Sequence, residues 1–263
     1  MPGLILPQRR PLWTPPRFWT PRSYKLINDL DGQFRPRQRL QYEDLWPTPP
    51  PKSPYSITYL GSIQFSSGTT ITGSIDIGAA DADKEIFVTS AVVCSSGSPT
   101  LTAASSTVAG SAVTKATSEG VFAQTSFTCA FVALPSASGS QTVTMTYAVT
   151  LAGGWISVYK VISRPNKPNN QTDASTGNVA SGTTLTVNAT TINDNGIWLA
   201  AHRHGNNNAT TGPTGTVIND SDSDAGANRY QFSHRIPEAT NTPSDVWSWT
   251  GSVLARSYSW AFD

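Results

Sequence analysis

Cysteine, methionine and histidine are scarce in this chain, with two, two and three of 263 residues. Cys94 and Cys129 can form at most one bridge, which excludes a small domain framed by disulfides. Both sit in apolar runs, where buried thiols are the expected state. Charge is scarce as well: 13% of residues are Asp, Glu, Lys or Arg and the formal net charge is +1. That balance excludes a disordered polyelectrolyte and a protein that binds nucleic acid through bulk charge. No run approaches the roughly 18 apolar residues of a membrane-spanning helix. The opening MPGLILPQRRPLW is broken by Pro and Arg where a cleaved signal would be continuously apolar. The chain is therefore expected to be soluble and not exported through a cleaved signal, and no membrane partner is expected.

What charge there is lies unevenly. Residues 1–54 carry nine Lys and Arg against four acids, or +5, while the remainder carries nine against thirteen, or −4. Twelve of the nineteen prolines precede Ser56. Proline recurs too often there for a helix, and the apolar residues follow neither a period of 2 nor one of 3.6. Yet Leu4, Ile5, Leu6, Trp13, Phe18, Trp19, Tyr24, Phe34, Tyr42 and Trp46 are a heavy apolar load for a segment without a core of its own. Such side chains call for a partner surface. Proline lowers the entropy lost when an extended segment is laid onto it, and arginine stacks on aromatics or pairs with carboxylates. Residues 1–55 are expected to form an extended anchoring arm. Its partner-contacting residues are Leu4, Ile5, Leu6, Arg9, Arg10, Trp13, Arg17, Phe18, Trp19, Arg22, Arg35, Arg37, Arg39 and Trp46. The interleaved acids and the Pro/Trp content favour a protein partner over nucleic acid.

From Ser56 onward Thr, Ser, Val, Ala and Gly alternate at period 2 between Gly/Asn/Pro/Ser clusters, the pattern of half-buried antiparallel strands. Val143, Met145, Tyr147, Val149 and Leu151 share one face, and Thr142, Thr144, Thr146 and Thr150 the other. Further runs are 71–77, 86–94, 127–134, 155–162, 185–192, 197–202, 230–236 and 246–262. About ten short strands with almost no helical periodicity predict an all-β, antiparallel β-sandwich or jelly-roll fold. The two halves also resemble each other in order: 69–97 aligns with 183–205, 122–135 with 227–238, and 142–161 with 244–262. This predicts two related sandwich units, residues 56–163 and 182–263, joined by a Pro/Asn/Ser linker at 164–181. One jelly roll built from two similar halves is the alternative.

Chemistry-bearing residues are few. His202 and His204, at i and i+2 on a strand, share a face and have the spacing of two metal ligands, with His234 as a third. Their context, AHRHGNNN, fits an ordinary strand end better. Asp220, Asp222 and Asp224 place oxygens at alternate positions as in a calcium loop, but Ala225 stands where the EF-hand glycine belongs and Gln231 where its bidentate Glu belongs. That run and Asp81, Asp83 and Glu85 read as solvated turns. There is no G-x-S-x-G elbow, and GTTITGS lacks the lysine of a phosphate loop. Neither a catalytic residue nor a metal or other cofactor is expected. Trp247 and Trp249 share a face, and with Trp260 they would make a sugar-stacking platform if exposed; core packing is the simpler reading.

The leader LILPQRRPLWTPP (Leu4 to Pro16), followed by Thr/Ser/Gly-rich β units without catalytic motifs, resembles structural proteins of tailed bacteriophage particles. The resemblance covers about a dozen residues of the leader and is otherwise one of composition and architecture. It implies a non-enzymatic virion component assembled in the host cytoplasm. Its arm would dock on neighbouring capsid or tail subunits, and its β units would stand on the particle surface in many symmetric copies. A head decoration or head-attached position is expected, since there is no heptad stalk of the kind tail fibres carry. The alternative is a tail-associated or host-glycan-binding adhesin module.

Overall fold

The computed structural model describes residues 56–162, 171–187, 190–192, 196–212, 218–225, 228–235 and 245–262. They belong to one of the two units into which the chain divides, Ser53–Asp263. The strands are β1 (Ser56–Phe65), β2 (Gly68–Asp76), β3 (Lys84–Cys94), β4 (Thr107–Val108), β5 (Ser111–Ala112), β6 (Thr114–Lys115), β7 (Gly120–Phe122), β8 (Thr125–Ala133), β9 (Ser140–Ile162), β10 (Gln171–Thr186), β11 (Ile197–His204), β12 (Ile218–Ala225), β13 (Asn228–Arg235) and β14 (Val246–Phe262). A single 3-10 turn, Ala103–Ser105, is the described helical element. The chain is all-β and sandwich-like, as its alternation predicts.

Among the described residues the strands form two antiparallel sheets that repeat one topology. In the second sheet the order is β10-β14-β11-β13-β12. In the first, β9, β3 and β8 take the places of β14, β11 and β13. The short strands β6 and β7 line β8 where β12 lines β13. β1 and β2 together take the place of β10: β1 pairs with the second half of β9 and β2 with its first half. β10 likewise runs along β14 from Gln171↔Phe262 to Thr186↔Val246. Each half of the chain is thus a module organised around one long strand.

Alternation gives each sheet two apolar faces and produces three cores. On β3, Ile86, Val88 and Val92 point into an aliphatic core with Ile71, Val143, Met145, Ile156 and Val158. Because that core takes residues from both halves of β9, the first sheet closes over it as a sandwich of its own. The opposite face of β3 carries Phe87 and Ala91. They join Phe127, Cys129, Tyr159 and Val161 against Ile197, Leu199, Phe232, Trp260 and Phe262 of the second sheet. This shared core holds the modules face to face, with Phe262 set edge-on to Phe87 and Phe131 at 5.0 and 6.0 Å. The third core, inside the second module, contains Leu185, Val187, Trp198, Trp247, Trp249 and Ala255. Hydrogen bonds also cross between modules: Trp260 Nε1 donates to Ser118 O at 3.0 Å, and Thr117 Oγ1 and Ser118 N both donate to Gln171 Oε1 at 3.0 Å.

The structure corrects the expected organisation at four points. Of the expected linker, residues 171–181 are the first part of β10. Their Ser/Thr/Asn/Gly composition reads as a joint, yet backbone pairing to β14 makes them a strand. Nor are the modules independent sandwiches on a tether, since the 15 buried residues of the shared core come from both. The expected runs 143–151 and 155–162 fuse into the single strand β9. The run Asp220–Asp224 is not a loop but most of β12, paired with β13.

The long strand β9 leaves no room for a side chain at Gly154, the register partner of Val92 on β3. A Cβ there would lie 2.9 Å from Ala91 O and 3.0 Å from Val92 Cα, both backbone atoms that cannot move aside. Gly154→Ala should therefore destabilise the protein by about 1–3 kcal/mol. Gly205→Ala, whose added Cβ meets nothing nearer than 3.7 Å, should be near neutral. Urea midpoints of the two variants test this; equal midpoints would contradict the packing described.

Candidate functional site

The second module concentrates the side chains that carry chemistry. On β11, Trp198, Ala200, His202 and His204 face the module's own core, while Ile197, Leu199, Ala201 and Arg203 face the other module. Beneath the first row β14 presents small residues, Ala255, Ser257, Ser259 and Ala261, and these leave room for rings. The first half of β14 supplies Trp247 and Trp249 from the opposite side. His202 lies parallel to Trp247, with centroids 5.5 Å apart and planes 3° apart; His204 stacks on Trp249 at 4.9 Å and 11°; Trp198 stacks on Trp247 at 6.4 Å and 17°. Arg235 covers Trp198 at 5.2 Å and pairs with Asp245 at 2.6 Å. The result is an interdigitated ladder of tryptophan and histidine where the first module has aliphatic side chains.

The polar atoms of this ladder are deeply buried. His204 Nε2 lies 2.9 Å from Thr210 Oγ1. Both ring nitrogens of His202, the indole N–H groups of Trp198, Trp247 and Trp249, and Gln231 Oε1 have no hydrogen-bond partner among the described residues. Burial, reinforced by His204 and Arg203, holds His202 well below the usual histidine range, so its imidazole is neutral. A neutral imidazole wedged between indoles and closed to solvent is a packing element, not an accessible base.

A second buried polar group lies in the shared core. Tyr159 of β9 donates its hydroxyl to Asp220 Oδ2 of β12 at 3.0 Å, and His234 Nδ1 of β13 lies 2.8 Å from the same carboxylate. The side chains of His234 and Asp220 are only 6% and 2% exposed. Burial, and next the Asp220 charge, push the Tyr159 hydroxyl well above its usual range, so it stays a donor. The group ties the two modules in a directional way that apolar packing alone does not.

The sequence candidates distribute as follows. The arm residues Leu4, Ile5, Leu6, Arg9, Arg10, Trp13, Arg17, Phe18, Trp19, Arg22, Arg35, Arg37, Arg39 and Trp46 lie outside the described residues. Trp247, Trp249 and Trp260 are 0%, 6% and 0% exposed. They offer no sugar-stacking face, because Trp247 and Trp249 pack on the histidines and Trp260 on the other module. His202 and His204 do share a face, as their spacing implies, but they are buried. His234 points from the opposite face of the sheet, toward Tyr159, so the three cannot ligate one ion. Among the described residues no group of His, Cys, Asp and Glu is arranged to hold a metal. Asp220 is engaged by Tyr159 and His234. Asp81 caps its own turn by accepting from Asp83 N at 3.0 Å. Cys94 and Cys129 are buried and unpaired. The Arg235–Asp245 pair and the two arginines Arg203 and Arg256 escaped the sequence reading. The i, i+2 spacing shared by His202/His204 and Trp247/Trp249 was the available signal for the ladder.

Burial of neutral His202 fixes the sign of the pH dependence. Below its ordinary value near 6.5 the unfolded chain takes up a proton at this position and the folded chain does not. Stability is therefore full above that pH and falls as the pH drops, by up to about 1.4 kcal/mol per pH unit for this one group. His202→Phe should flatten the decline between pH 6.5 and 5 by one proton's worth. Urea unfolding across that range checks it, and an unchanged slope in the variant would contradict the assignment.

No helix among the described residues is long and apolar enough to cross a membrane. No protein-family model, curated protein or solved structure matches the chain.

Proposed function

We propose that the chain is a non-enzymatic structural component of a bacteriophage virion, a head decoration or head-attached protein. In this reading residues 1–54 anchor it to other virion subunits, and the paired β modules stand on the particle surface. The observation that carries the reading is the contrast between the two parts. The modules bury their aromatic and histidine side chains in three packed cores. The leader, by contrast, brings Leu4, Ile5, Leu6, Trp13, Phe18, Trp19 and Trp46 together with a net charge of +5 and twelve prolines. A proline-stiffened chain with aromatic and arginine anchors has the composition of a groove-binding segment, because little entropy is lost on docking and each anchor buries a large area. Two docked modules of one topology suit a rigid surface body whose contacts repeat from copy to copy.

The reading places affinity in the arm and rigidity in the modules. A variant lacking residues 1–54 should keep its cooperative unfolding but fail to join particles when supplied in place of the full chain during assembly. Sedimentation of particles followed by detection of the protein in the pellet reads the outcome. Undiminished incorporation of the truncated chain would sink the anchoring role.

A further inference from the structure

At one end of the shared core two arginines stand side by side. Arg203 of β11 and Arg256 of β14 are direct register partners, and Tyr230 of β13 continues the same row. Alternation turns all three toward the first module. Like charges directly opposite on antiparallel strands repel, and a buried charge without a counter-charge is costly. Among the described residues, however, neither arginine pairs with a carboxylate. Arg203 donates through Nη1 to Thr125 Oγ1 at 3.5 Å and through Nη2 to Asn228 Oδ1. Arg256 donates through Nη1 to Phe122 O at 2.8 Å and to Thr125 Oγ1 at 3.0 Å, and its guanidinium lies over the Phe122 ring at 5.4 Å. Every acceptor is neutral. The Nε–H of both arginines is buried without a partner among the described residues. Burial draws both groups below the ordinary arginine range, and for Arg256 the Arg203 charge adds to it.

Two guanidiniums with idle donors and no counter-charge among the described residues lack one thing, an anion. We propose that Arg203 and Arg256 form a binding site for a small oxyanion, a phosphate or carboxylate group, at the mouth between the two modules. Arg203 is 9% exposed and serves as a fixed wall. Arg256, Phe122 and Asn228 are only partly buried, so the mouth opens to solvent on their side. The forked guanidinium matches an oxyanion in two-point contact, and a group bridging the pair removes their mutual repulsion. Because Phe122 and Thr125 belong to the first module and the arginines to the second, a bound anion also ties the modules together.

The test uses the full chain in a low-salt zwitterionic buffer, titrated with inorganic phosphate, with acetate, and with chloride at matched ionic strength. Phosphate or acetate should raise the melting temperature along a saturating curve that chloride does not reproduce. A larger effect of phosphate assigns the site to tetrahedral anions, and a larger effect of acetate to carboxylates. Arg256→Gln should weaken the response by roughly ten- to a hundredfold in apparent affinity, the loss expected for one charge-assisted pair. Arg256→Lys keeps the charge but loses the fork, and it should lose most of the response even if the Gln variant does not fold. Absence of a saturable response to either anion, or an equal response in the parent and the variants, would overturn the site and leave Arg256 as a donor to Phe122 O and Thr125 Oγ1 only.

Discussion

The architecture rests on the apolar face that the two sheets share. Neither module can leave that face in water: Phe87, Phe127 and Tyr159 on one side and Leu199, Phe232, Trp260 and Phe262 on the other are all almost fully buried. At about 25 cal/mol per Å² of apolar area removed from water, such a set of large side chains outweighs any single polar contact in the molecule. The polar contacts at its margins do a different job. Trp260 to Ser118, Gln171 to residues 117 and 118, and Tyr159 to Asp220 each require one relative placement of the sheets, whereas apolar packing alone tolerates sliding. Mass of burial holds the modules together, and directional bonds choose the register.

The same topology appears twice with two solutions to filling space. The first module uses branched aliphatics on both layers, which pack in well-defined rotamers and contain nothing that titrates. The second places three tryptophans and two histidines over alanine and serine, so large rings meet small neighbours. That choice places buried imidazole and indole nitrogens in the core of the second module, and His202 makes that core sensitive to acid. The surface body put forward for virion attachment thus has one half with a largely aliphatic core and one with a ring-rich core, both fixed to the same interface.

Much of this was legible in the sequence. Runs of strand-type residues identify β8, β9, β11 and β14, because their side chains divide between a core and a polar face or between two cores. The repeat was visible as an order of elements, and the structure gives that order a topological meaning. β1 and the first half of β10 were missed, since SITYLGSIQF and QTDASTGNVAS alternate weakly: edge strands are held by backbone pairing to β9 and β14 more than by burial. β12 reads as a loop because acidic residues are poor strand formers, but pairing with β13 and the 2.8 Å contact of Asp220 with His234 Nδ1 override that preference. For the site, spacing correctly placed His202 with His204 and Trp247 with Trp249. It could not reveal that the two pairs interdigitate, because that depends on which half of β14 folds over β11. The partnership of Arg203 with Arg256 is likewise a matter of register across 53 residues, beyond any local pattern.

Native-state hydrogen exchange of the full chain tests the shared core most directly. If the two modules form one cooperative body, central amides of β3 and β11 exchange with the same opening free energy, and Trp260→Ala lowers both together. Substantially different protection in the two strands, with Trp260→Ala affecting β11 alone, would show two independently folded modules and contradict the account.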